Sequence, residues 1–174
     1  ESGGGRLSES ARAKVLEALG EALSLQKRHG QARRRHREAL LAKKVAGMGV
    51  GELAVTGTAL AAESMLDGAL QEALASIREA QALPGLPPAA LAVLYKQEAA
   101  IHDCGGDFVS ALHRFEHAAK LEPSRSPEHL IRHLELLRRV LAARGADMPR
   151  GVQSAMESQV QRETAELLRR GPWE

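Results

Sequence analysis

Gly105-Gly106-Asp107-Phe108-Val109-Ser110-Ala111-Leu112-His113-Arg114-Phe115-Glu116-His117-Ala118-Ala119-Lys120-Leu121-Glu122-Pro123 is the stretch whose reading decides the fold. The two glycines make a turn, and the proline marks a stop, because it lacks an amide hydrogen and its ring clashes with the turn before it. Between them Phe108, Ala111, Leu112, Phe115, Ala118 and Leu121 recur at three- and four-residue spacing, which puts them on one face of a helix over 108–121.

The same spacing continues outward in both directions and is interrupted only at Gly and Pro clusters, which predicts about eight helices. Ser8 or Ser10 can cap the first, whose apolar stripe is Val15, Leu16, Leu19, Leu23 and Leu25, with Gly30 before the next. A second helix runs from about Gln31 to Val45. After the Gly47-Met48-Gly49-Val50-Gly51 break, a third carries Leu53, Val55, Leu60, Met65 and Leu66, and Gly68 closes it. The fourth passes through Leu70, Leu74, Ile77 and Leu83 and ends at Pro84-Gly85-Leu86-Pro87-Pro88, where proline can also open a fifth helix over 88–104. Beyond the central stretch, Ser126-Pro127-Glu128 supplies a cap, a first-turn proline and a first-turn acid for a seventh helix burying Leu130, Ile131, Leu134, Leu137, Val140 and Leu141. An eighth begins near Pro149 and stops at Gly171-Pro172.

Composition agrees with an all-α fold. Phe, Tyr and Trp make up 2% of 174 residues, so the core must come from Leu, Ala, Val, Ile and Met, with small residues where helices touch. The formal charge of +2 falls short of the cationic density that would by itself imply a nucleic-acid partner. Cys104 is the only cysteine, which excludes an internal disulfide, and there is no secretory h-region or spanning apolar run. A cytoplasmic or nuclear home and no membrane partner are therefore expected. Glu1-Ser2-Gly3-Gly4-Gly5 has the composition of a flexible linker or of the edge of a longer protein.

An internal period is present. Gly106-Asp107-Phe108, Ala111-Leu112, Phe115, Ala118, Leu121 and Pro123 resemble the second half of a tetratricopeptide repeat. Tyr95 and Ala99 then fall at that family's Trp and small-residue positions, while Glu98 and His102 replace its usual Leu and aromatic. A second copy reads Leu60-Ala61, Gly68, Ala73, Ile77, Ala80 and Leu83, and a weaker one Leu16, Leu19-Gly20, Leu23, Ala32, His36 and Ala39. The strides are 41 and 38 residues against the family's 34, closer to the long helices of kinesin light chain-type repeats.

The resemblance implies a right-handed superhelical stack of antiparallel helix pairs: three pairs over 11–125 between a flexible 1–10 and a 126–170 capping hairpin, with a 171–174 tail. It also implies a concave groove, lined by the first helix of each pair, that holds a peptide or helix of another protein. Carried over residue by residue, that groove consists of Lys14, Glu17, Glu21 and Ser24, then Val55, Thr58, Ala62 and Met65, then Val93, Lys96, Ala100 and Asp103. The same positions could equally be solvated faces or internal contacts of a small solenoid. Relatives that grip chaperone tails use an Asn-containing carboxylate clamp, and this chain has no Asn.

Three features point elsewhere. His113-Arg114-Phe115-Glu116-His117 has the H-x-x-E-H form of a zinc hydrolase, yet its polar residues fall on the variable outer face of helix six, as do His129 and His133 on helix seven. Cys104 beside His102 and Asp103 could be a nucleophile, but reads better as a half-buried structural thiol. The basic run Lys27 to Lys44, centred on Arg33, Arg34, Arg35 and Arg37, could hold a polyanion such as nucleic acid or an acidic cytoskeletal surface, although it lacks aromatics for base stacking. The sequence thus leads to a non-catalytic adaptor with no cofactor or metal. Partner and oligomeric state are left open.

Overall fold

The computed structural model describes residues 8–122 and 126–170, so the glycine-rich start, Pro123 and the 171–174 tail, including Gly171-Pro172, lie outside the described residues. Eight α-helices follow one another without a strand among the described residues: α1 (Glu9–Leu25), α2 (His29–Val45), α3 (Val50–Leu66), α4 (Leu70–Gln81), α5 (Pro88–Cys104), α6 (Phe108–Leu121), α7 (Pro127–Arg144) and α8 (Arg150–Arg170). A single 3-10 turn, Gly145–Asp147, separates the last two. Short connections make sequential helices neighbours, and the result is a stack of helix pairs with a helical-solenoid architecture.

The helix ends follow from side-chain chemistry. The Ser8, Asp107 and Ser126 side chains accept the amides of Ala11, Ser110 and His129, each at 3.2 Å, satisfying donors that have no partner inside the helix. α1 therefore starts at Glu9, inside the segment expected to be a tail. The turns inside the three pairs share one geometry: Lys27, Gly68 and Gly106 occupy corresponding positions, all at positive φ (58°, 78° and 78°). Lys27 adopts there a conformation that ordinarily favours glycine.

Small residues bring the helices together. Ala61, Ala73, Ile77 and Ala80 of α3 and α4 form one cluster with Leu94 and Ile101 of α5, and Ala99, Ala111 and Phe115 form another with Leu136 of α7. Ile77 is wholly buried, a position where truncation to alanine costs about 2–5 kcal/mol. Gly20 lies under the His36 ring: a Cβ added there would stand 2.7 Å from Cε1, so any larger residue requires the ring to move.

Several stripes differ from expectation. Val15, Leu19 and Leu25 of α1 are exposed, and Ala13, Leu16 and Gly20 make the inner face. In α7, Ile131 is exposed and Leu136 is wholly buried, because α7 packs between α6 and α8 and has two covered sides.

The seams between pairs carry buried polar groups. Glu98 of α5 is wholly buried. It accepts from Gln81 Nε2 at 2.9 Å and meets Arg78 Nε at 3.4 Å, Arg114 Nε at 3.3 Å and His102 Nε2 at 3.9 Å. A carboxyl group withdrawn from water is tolerated only when partners replace the solvent so completely.

Candidate partner-binding face

The first helices of successive pairs are neighbours, and polar side chains tie them. Lys43 Nζ, itself buried, donates to Glu17 Oε1 at 2.6 Å, and the Thr56 hydroxyl donates to the same oxygen. Burial pushes the Glu17 carboxyl up, but these two donors outweigh it and hold the group below the usual range. Ser24 Oγ donates to Glu63 Oε1 at 2.5 Å while His29 Nδ1 lies 2.9 Å from Glu63 Oε2. Glu17 and Ser24, expected to face a ligand, are thus committed to holding α1 against α3.

The remaining expected positions divide into three groups. Lys14 and Glu21 of α1, Val55 of α3 and Val93 of α5 are exposed, Val55 by 66%. Thr58, Ala62 and Ala100 are half-buried, and Met65 leans on the Ala61–Ile77 cluster. Lys96 Nζ donates to Glu122, whose carboxyl is lowered chiefly by that bond. Asp103 departs from expectation. It is buried and pinned by Arg132 Nη2 at 2.8 Å and Arg139 Nη1 at 2.5 Å, so it binds α7 to α5 and cannot line a groove.

Two leucines that the sequence reading put in apolar stripes, and Cys104, which it read as half-buried, are exposed. They are Leu25 (87% exposed), Leu66 (57%) and Cys104, which follow Ser24, Met65 and Asp103. Their separations, 41 and 38 residues, equal the strides of the repeat, and that was the signal available to find them. The exposure of Cys104 corrects its reading as a half-buried structural thiol: it sits at the last residue of α5, beyond the packed turns.

The basic run does not form one surface. Arg33 reaches Asp67 at 3.2 Å and Glu72 at 3.4 Å, Arg37 reaches Glu72 at 2.7 Å, and Lys44 pairs with Glu79, so one face of α2 is spent on the loop before α4 and on α4 itself. Arg35 pairs with Glu38 at 2.8 Å on α2, and Arg34 is exposed with no charged partner among the described residues. The residues read as one patch thus point in different directions around the helix.

The H-x-x-E-H residues are engaged differently from a metal site. Phe115 is buried, the rings of His113 and His117 lie 4.5 Å apart, and Glu116 Oε1 turns to His133 Nε2 at 3.7 Å. His129 and His133 flank Phe115 at ring distances of 4.6 and 6.1 Å. His133 Nδ1 contacts both oxygens of Glu163 at 2.9 Å, which fastens α8, a helix with no buried residue, to α7. Burial disfavours the His133 imidazolium, but Glu116 and Glu163 more than compensate and raise its affinity for the proton. Among the described residues no group of three or more His, Cys, Asp or Glu could hold a metal ion, and no helix is long and apolar enough to cross a membrane.

No protein-family model matches this sequence, and no curated protein matches it. Among solved structures, the chain is similar to the crystal structure of BtubC (BKLC) from P. vanneervenii, with a TM-score of 0.66 at 16% identity, over 98% of this chain and 69% of that one. At that identity the likeness is one of fold: helix pairs stacked in the same general arrangement.

Proposed function

We propose that this chain is a non-catalytic adaptor, a tetratricopeptide-like stack that docks a segment of another polypeptide along the first helices of its pairs. The observation that carries the reading is the exposure of Val55, Leu66 and Val93 on those helices, while polar partners hold the helices together beneath them. Charged Lys14 and Glu21 at one end of this face and half-buried Thr58, Ala62 and Ala100 along it suit an extended or helical segment with one or two apolar anchors. The titratable residues that tempt a catalytic reading are occupied instead: Glu116 and His133 in mutual contact, and Asp103 under two guanidiniums.

Replacing Val55 and Val93 by Glu tests the reading, because both side chains are exposed and the fold does not depend on them. Affinity capture with the wild-type chain should recover partners that the double variant loses at unchanged circular dichroism. An identical set of partners on both chains would refute the assignment.

A further inference from the structure

The sides of α7 are covered by different chemistry. Arg132 and Arg139 reach back to Asp103 of α5, and Leu136 joins Phe115 of α6 in an apolar cluster. Leu130, Leu134 and Leu137 are also buried, and their spacing puts them on another side, the one on which α8 packs. His133 stands at the corner between α6 and α8, with Phe115 of the one and Glu163 of the other against the same ring.

The α8 side is the least firmly closed. α7 and α8 lie less closely together than the helices of the other three pairs. Met156, Val160, Glu163 and Leu167 share the inner face of α8 and are only half-buried. Beside them the Thr164 hydroxyl is sealed without a hydrogen-bond partner among the described residues, which costs free energy. The seam therefore leans on the bond between His133 and Glu163.

That bond is built for an imidazolium. Nδ1 meets both oxygens of Glu163 at 2.9 Å, and Glu163 Oε1 also accepts from Gln159 Nε2 at 3.2 Å. Across the ring, Nε2 is sealed from solvent 3.7 Å from Glu116 Oε1 of α6. A neutral imidazole has one N–H and one lone pair, so it serves only one of the two carboxylates and turns its lone pair toward the other. The further charges nearby are His129 on α7, Lys96 of α5 and Glu122 just past α6, all acting on His129, and His113 and Lys120 beside Glu116.

We propose that His133 is a proton-operated latch: with its proton it clasps α8 to α7 through Glu163, and without it α8 lifts and bares Leu130, Leu134 and Leu137. α7 itself stays in place, because the Asp103 guanidinium pairs and the Leu136 cluster do not titrate near neutrality. The sign follows from linkage. The closed seam raises the proton affinity of the ring, so the latch is fully shut below about 6.5, the value of a free histidine, and weakens as pH rises toward the closed-state value.

Hydrogen exchange of the whole chain, read peptide by peptide and corrected for the intrinsic pH dependence of exchange, tests the latch. Between about pH 6 and about pH 8 the protection of α8 should fall by up to about tenfold per pH unit, while α3 to α6 keep theirs. His133→Gln and Glu163→Gln should each flatten that dependence, with the protection of α3 to α6 showing that the fold persists. If a variant does not fold, the wild-type profile still decides. Protection of α8 that is flat in the wild-type chain, or that falls in step with every other helix, overturns the proposal, as does a pH dependence that survives in both folded variants.

Discussion

His36 in the first helix pair and His133 in α7 are both nearly sealed from solvent, at 3% and 9% exposed, and their surroundings shift their proton affinities in opposite directions. At His36 burial dominates: it depresses the proton affinity, the attraction of Glu63, Glu17 and Glu21 is too weak to restore it, and Lys43 adds to the fall. Its Nδ1 has no hydrogen-bond partner among the described residues, and its ring serves as a flat filler over Gly20. At His133 burial pulls the same way but loses to Glu116, 3.7 Å from Nε2, and to Glu163, in direct contact with Nδ1 at 2.9 Å. Depth alone does not set the charge of a buried histidine. What decides is whether an acid touches the ring or only acts across a distance.

The largest test of this contrast removes the acid. Glu163→Ala leaves a mostly buried imidazolium with only the half-exposed Glu116, and should lower unfolding stability near pH 6 by about 3 kcal/mol in urea titration. No change would mean that α8 is not held through His133. Next comes the filler role: Gly20→Ala forces the His36 ring aside and should cost about 1–2 kcal/mol, the crowding exceeding what alanine gains in helix propensity. Adding His36→Ala should remove the crowding part, and a double-mutant cycle measures whether the two sites couple.

The smallest effect is a pair of opposite pH limbs. For His36, with its proton affinity depressed in the folded chain, the stabilisation is present above the unfolded value near 6.5 and is lost as pH falls toward the folded one. His129, depressed first by burial and then by the charge on His133, adds to that acid limb. His133 has the reverse sign: its contribution is full below 6.5 and is lost as pH rises through the raised folded value. Each limb has a slope of at most about 1.4 kcal/mol per pH unit for each proton. Thermal unfolding across this range should show His36→Gln shrinking the acid limb and His133→Gln removing the alkaline one.

The helices were legible because Gly and Pro punctuate this chain so plainly: Pro87-Pro88, Gly105-Gly106 and Ser126-Pro127 each stand where a helix ends or begins. The side on which each helix is covered was less so. Apolar spacing cannot tell a residue facing the next pair from one facing an open end, so Val15 and Leu19 read as core although they are exposed. Conversely, Thr56, Ser64 and Glu98 are buried but polar, and hydrophobic periodicity is blind to them. Asp103 was misplaced for the same reason, since its two arginines come from a helix more than 25 residues away in the chain. The exposed row of Leu25, Leu66 and Cys104 was within reach of the repeat stride, but Cys104 does not look apolar on the page.

The sealed seat of Glu98 also bears on how the chain assembles. In an ideal stack each unit adds its own stability and meets only its neighbours, so units can be gained or lost one at a time. Glu98 takes Gln81 and Arg78 from the unit before it and Arg114 from its own second helix. A boundary cut between α4 and α5 strands this carboxyl group with half its partners. The second and third units are therefore bound into one cooperative block, and the modularity suggested by the repeated sequence is interrupted at this seam.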